Sequence, residues 1–212
     1  MSRLHLFDLD GTLIHGSAAA IEISRQLGME AQIHELERDF AAGRLDPVGF
    51  ATAACALWGE ALTEAVVTAA FDGAPWLDGV RDVWADIAAR SERCAVISLS
   101  PHFFVERLLA WGADAAHGSR WPEVPLRGAV DPAGILDAAA KVRIADELCA
   151  GYGLERADCV AYGDSMSDAL LFAAVPVSVA VNADHHVRDI ASLSYTGRDL
   201  REAYALVGAR VH

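Results

Sequence analysis

Two carboxylates one residue apart, Asp8 and Asp10, follow the apolar run Leu4-His5-Leu6-Phe7 and precede a turn at Gly11. Neighbouring carboxylates repel, and a cation or a shared proton is the usual remedy. The pair therefore points to metal-assisted chemistry, although a turn or a helix N-cap would draw on the same residues. Three further positions carry polar groups that the apolar pattern does not need: Ser98 with Ser100, Lys141, and Asp164 with Asp168. Cleaving a phosphate monoester calls for such a set. A carboxylate can act as nucleophile, and a second can protonate the leaving oxygen and later deprotonate water. A cation, a hydroxyl, an ammonium and backbone N–H groups can hold the spreading charge on the phosphoryl oxygens. Oxygen donors from Asp8, Asp164 and a main-chain carbonyl suit Mg²⁺.

Each of these residues also has a plain structural reading. Ser100-Pro101 could start a helix, with Ser100 as its cap, which leaves Ser98 as the better functional serine. Asp164 and Asp168 could complement a helix dipole. Lys141 could be a solvated helix residue, but it is the only lysine in the chain and every other basic side chain is Arg. A compact ammonium suits a phosphoryl oxygen beside a carboxylate better than a planar fork does.

The elements that must position these groups alternate. Apolar runs at residues 4–7, 94–97, 159–162 and 177–181 read as buried strands, and helical patterning separates them. This predicts an α/β fold with a Rossmann-like, doubly wound parallel sheet, whose ligands bind outside the carboxyl ends of the strands. Val80, Val83, Trp84 and Ile87 share one face of a helix over 78–90. Residues 17–70 are Ala-rich, helical in pattern and too long for one crossover, so they read as an inserted helical subdomain. The expected division is a core of 1–14 with 76–212 and a helical cap of 15–75. Residues 117–130 read as a small hairpin or flap, and the tail as mostly helical. Trp58, Phe50 and Phe71 read as the insert's small core. His15 and His102 fall near the inferred mouth, and Asn182 either lines it or ends the last strand in a turn.

With 212 residues, 53% of them hydrophobic, the chain can build a sizeable core. A net charge of −13 argues against binding nucleic acid or an anionic membrane surface. It does not exclude an anionic substrate, because a bound cation reverses the local field. Cys55, Cys94, Cys149 and Cys159 have no C-x-x-C spacing and read as free thiols of a reducing compartment. With no secretory signal and no apolar run of membrane-spanning length, the expectation is a soluble cytoplasmic protein.

Asp8-Leu-Asp10-Gly-Thr-Leu, Ser98, Lys141 and Gly163-Asp164-Ser165-Met-Ser167-Asp168 resemble, in order and spacing, the four motifs of the haloacid dehalogenase superfamily of phosphatases. The insert resembles the helical C1-type cap of the phosphoserine-phosphatase-like branch. The resemblance implies Asp8 as nucleophile and Asp10 as general acid and base. It implies phosphate binding by Ser98, Lys141 and the main-chain N–H groups of Leu9 and Leu99. It implies a Mg²⁺ site of Asp8, the Asp10 carbonyl and Asp164, with Asp168 holding the metal's waters from one layer out. Dehalogenase members lack the second Asp of the first motif, so Asp10 favours phosphate chemistry. The implied activity is hydrolysis of a small phosphorylated metabolite through an aspartyl-phosphate. The alternatives are phosphoryl transfer to a non-water acceptor, or a silent binding module on the same fold.

The chain departs from the phosphoserine-specific members in two places. Ser17 stands where they carry a cap glutamate, and Thr52-Ala-Ala-Cys-Ala-Leu57 offers no cap arginine. Arg44 is the nearest basic residue that could replace it. The expected substrate is accordingly a less zwitterionic monoester. The oligomeric state cannot be read from the sequence.

Overall fold

A computed structural model describes residues 2–209. In chain order the elements are β1 (Leu4–Phe7), α1 (Ala19–Leu27), α2 (Glu30–Ala41), α3 (Pro47–Trp58), α4 (Glu64–Gly73), α5 (Val80–Ala89), β2 (Arg93–Pro101) and α6 (His102–Val105). They continue with β3 (Ala115–Ser119), α7 (Ala138–Tyr152), β4 (Cys159–Gly163), α8 (Ala169–Ala174), β5 (Val177–Val181), α9 (His185–Arg188), β6 (Leu193–Tyr195) and α10 (Leu200–Ala209).

All four residues of β1 are buried, as a central strand covered on both faces requires. The six strands are parallel and run in the order β3-β2-β1-β4-β5-β6. Winding reverses between β1 and β4, which opens a crevice there. Phe7 pairs with Val96 and with Tyr162. That register brings Asp8, Ser98 and Asp164 to one edge of the sheet from three different strands.

Side chains alternate between two cores, as successive strand residues must. Phe7, Val96, Tyr162 and Val179 pack with Trp84 of α5 and Ala203 of α10. Leu4, Leu6, Ile97 and Ala161 pack with Ile144 and Cys149 of α7 and Phe172 of α8. The expected inner face of α5, Val80, Val83, Trp84 and Ile87, is buried.

Helices α1 to α4 occupy the long stretch between β1 and α5. Gly28, at φ 69°, ends α1 in the left-handed conformation. Asp46 caps α3 through the Gly49 N–H with Pro47 at its first turn, and Thr63 caps α4 through the Val66 N–H. Trp58 Nε1 donates to Ser24 Oγ at 2.8 Å and ties α3 to α1. Where the chain leaves and re-enters the sheet it pairs with itself: His15 N donates to Pro75 O and Leu77 N to Leu13 O.

The structure corrects three expectations. Residues 117–130 form no hairpin: residues 117–119 belong to β3, an edge strand parallel to β2, and the rest is irregular with one turn at 124–126. The tail contains β6, a strand of three residues. Ser100 is no helix cap, because β2 runs on through Pro101 and α6 begins at His102. Among the described residues no single helix is long and apolar enough to cross a membrane.

Candidate active site

Asp8 is the first residue past β1, and its N–H donates to Tyr162 O of β4 at 2.8 Å. Its carboxylate is nearly buried. Lys141, from the first turns of α7, donates to Asp8 Oδ1 at 2.7 Å and to Asp168 Oδ1 at 2.6 Å, with only 1% of its side chain exposed. The second oxygen of Asp168 accepts from the Asp164 and Ser165 N–H groups, both at 3.2 Å. Thus Asp168 spends both oxygens on positioning Lys141 and the loop after β4.

Two glycines make this packing possible. A Cβ on Gly163 would lie 2.3 Å from Asp168 Cγ. One on Gly11, which also sits at φ +73°, would lie 2.0 Å from Asp164 Oδ2.

Asp10 is held differently. Its Oδ2 accepts from Ser100 Oγ at 2.6 Å and from Ser98 Oγ at 3.3 Å. Its Oδ1 accepts from the N–H of Ala19, the first residue of α1, at 2.7 Å. Ser98 is wholly buried and does not line the cavity; its hydroxyl also accepts from Ser100 N at 3.1 Å. Ser100 does line the cavity, so both serines serve Asp10. The side chain of Leu9 is buried in the core, leaving only its backbone for a ligand, whereas Leu99 reaches the cavity wall.

Electrostatics mark the cluster as short of positive charge. Burial, then the Asp168 charge, push Asp8 well above the usual carboxylate range against the pull of Lys141. Burial also raises Asp10, against its hydrogen bonds from Ser100 and Ala19. Asp164 is pushed up to about 7 by burial and then by Asp168. Burial opposes the Lys141 ammonium, but Asp168 and Asp8 outweigh it and hold its pKa above the ordinary lysine value. Carboxylate oxygens of Asp8, Asp164 and Asp168 lie within 4.8 Å of one another. One ammonium cannot balance these acids and Asp10, so the donor set fits a divalent cation.

The cluster floors a cavity of about 730 Å³. Its opposite wall comes from the insert: Ala20 and Ile21 of α1, Glu37, Phe40 and Ala41 of α2, and Phe50 and Ala51 of α3. Phe50 both lines the cavity and packs against the core in which Trp58 and Phe71 are buried, as expected of all three. Ser17 also lines the cavity, and its hydroxyl donates to the buried carboxylate of Glu22, which pairs with Arg25.

Three residues considered for substrate contact lie elsewhere. Arg44 is exposed and paired with Asp39. His15 Nδ1 accepts from Asn182 Nδ2 at 3.3 Å, and His102 Nδ1 accepts from Trp121 N at 3.3 Å. None of the three lines the cavity, and neither does Asn182.

Sequence reasoning missed Ser100, Ala19 and Glu37. Ser98 and Ser100 are two apart on one strand and so face the same way. Glu37 lies four residues past Ile33 and three before Phe40, on the inner stripe of α2.

A family model described as haloacid dehalogenase-like hydrolase matches residues 5–173. The chain is 26% identical over 203 residues to a phosphoserine phosphatase of Methanocaldococcus jannaschii, covering 94% of this chain and 95% of that one. It is 25% identical over 212 residues to a phosphoserine phosphatase of Archaeoglobus fulgidus, covering 93% of this chain. The chain spans only 58% of that relative's length. A substrate-bound phosphoserine phosphatase structure superposes with a TM-score of 0.83 at 22% identity, covering 97% of this chain and 98% of that one, a likeness of fold.

Proposed function

The chain belongs to the haloacid dehalogenase-like hydrolases, and from that premise we propose that it is a Mg²⁺-dependent phosphatase of small phosphomonoesters, with the four inserted helices as its cap. The observation that carries this reading is the different tethering of two adjacent carboxylates. Asp8 is clamped by an ammonium, while Asp10 is held by two hydroxyls and a backbone N–H.

Lys141 fixes Asp8 Oδ1 and leaves the second oxygen for in-line attack on phosphorus. As the Asp8 O–P bond forms, the ester O–P bond breaks, and protonated Asp10 gives its proton to the departing alkoxide. The raised pKa of Asp10 suits that role. Asp10, now a carboxylate, takes a proton from water as the water oxygen attacks phosphorus. Inorganic phosphate leaves and Asp8 is regenerated. Asp8, Asp164 and the Asp10 carbonyl would hold Mg²⁺, with Asp168 orienting the site from behind. When bound, the ion offsets charge on the phosphoryl oxygens. Lys141 and the backbone N–H groups of Leu9 and Leu99 complete the phosphate cradle, whereas Ser98, expected to bind phosphate directly, lies behind the cavity surface and acts through its hydrogen bond to Asp10.

Among the described residues, no Arg or Lys lines the cavity. A free substrate carboxylate thus has no bidentate partner there, and phosphoserine is not the preferred substrate. The test is hydrolysis of a generic aryl phosphate by purified protein. EDTA should abolish it and Mg²⁺ restore it, with Ca²⁺ a poor substitute because it takes a looser, higher coordination. Full activity after metal stripping would overturn the reading.

A further inference from the structure

Glu37 is out of place on the cavity wall. It projects from α2 into a wall whose other helical residues are apolar, with Phe40 one turn away and Phe50 beside it on α3, and Ser17, ahead of α1, spends its hydroxyl on Glu22. The two rings are 5.5 Å apart at an interplanar angle of 55°. Among the described residues, no hydrogen bond or ion pair holds the Glu37 carboxylate. A surface glutamate would turn to water or to an arginine; this one lies half-buried facing the cavity. Trp121 adds a third aromatic ring from the core side, and its indole Nε1 has no acceptor.

The sign of the cavity is uniform. Its charged lining residues are Asp8, Asp10, Asp164 and Glu37, all acidic. The first three adjoin the phosphate and metal positions. Glu37 alone is set on the insert, where the rest of a substrate would lie. A carboxylate among aromatic faces, with no cation of its own, is the environment that recognises an alkylammonium: the carboxylate takes its N–H donors, and the rings take its charge and methylenes.

We propose that Glu37 is the specificity-determining residue of this site and that it selects phosphomonoesters whose far end carries an ammonium group on a short apolar stem, with no carboxylate. This rests on the phosphatase reading above and narrows its substrate class. The pKa of Glu37, pushed up to about 7 by burial and then the Asp10 charge, fits a carboxylate awaiting a counter-ion.

The test compares 2-aminoethyl phosphate with propyl phosphate, which has the same shape but a methyl in place of the ammonium, and with O-phospho-L-serine. In the wild type, kcat/KM for the ammonium ester should exceed that for propyl phosphate by about tenfold or more, and phosphoserine should fall below the ammonium ester. In Glu37→Gln the ratio of ammonium to neutral ester should collapse to about twofold or less, because an amide keeps the shape and loses the charge. Calorimetric binding of the same two esters to the Asp8→Asn protein reads the selection without turnover. It should show the same preference, and the preference should vanish in the Asp8→Asn, Glu37→Gln double variant. An aryl phosphate that is not hydrolysed under any metal condition would sink the phosphatase reading while leaving the binding arm to decide this one. Equal affinity of the Asp8→Asn protein for the two esters, a ratio untouched by Glu37→Gln, or no binding of the ammonium ester at millimolar concentration would each overturn the proposal.

Discussion

At the floor of the cavity Lys141 bridges Asp8 and Asp168, Asp168 grips the loop carrying Asp164, and two serines and a backbone N–H secure Asp10. On the wall formed by the insert's helices there are methyl groups, two phenyl rings and one carboxylate that nothing holds. Groups that handle bond breaking must be fixed to within fractions of an ångström, which takes redundant contacts. Groups that only sort substrates need shape and a charge, and they can change without disturbing the floor. On the proposed reading the floor sets the rate and the wall sets selectivity.

That contrast can be broken at several points. The largest effect belongs to Asp8→Asn. An amide cannot form the acyl phosphate, so turnover should fall by at least about a thousandfold while the thermal transition barely moves. Kinetics on protein checked by mass spectrometry against deamidation would measure it. Next comes Lys141→Met, which strands two buried carboxylates. The loss should be about 3–5 kcal/mol in urea unfolding, with activity lost as well. A variant as stable as wild type would show that the floor is less tightly knit than its distances imply.

The wall should behave in the opposite sense. Glu37 titrates at about 7 in the folded protein against an ordinary 4.5, so the folded state keeps its proton longer than the unfolded one does. The stability this group permits is whole below pH 4.5 and is lost as the pH rises through 7. Glu37→Gln should therefore match wild type at acid pH and gain on it by about 1–2 kcal/mol at pH 8, after allowing for water in the cavity. Thermal unfolding of both proteins across that range would reveal it, and a pH-independent difference would contradict it. The smallest effect is expected at Arg44. Its pair with Asp39 is exposed and remote from the lining, so Arg44→Ala should leave stability within about 0.5 kcal/mol of wild type and substrate ratios unchanged in the same ester panel.

What could be read from the sequence follows the same line. Asp8, Asp10, Lys141 and Asp164 stood out because phosphate chemistry restricts residue type and because strand ends bring distant positions together. The parallel sheet showed itself through four continuous apolar runs. β3 did not, because Ala115-Ala-His-Gly-Ser119 is an edge strand with no apolar run. Its Gly118 reflects a close approach instead, as a Cβ there would lie 2.7 Å from Ser100 O. β6 is too short to carry a pattern. Ser100 was hidden by Pro101, which imitates a helix start. Glu37 was hidden because a charge on an inner helical stripe reads as a break in the stripe rather than as a message.

The solitary lysine has one more consequence. The chain's only side-chain amine is sealed between Asp8 and Asp168. A reagent that acylates amines can reach it only when the site opens or a ligand loosens its pairing. The rate of Lys141 acylation, followed by mass mapping of the peptide that contains it, is therefore a single-residue clock for local opening.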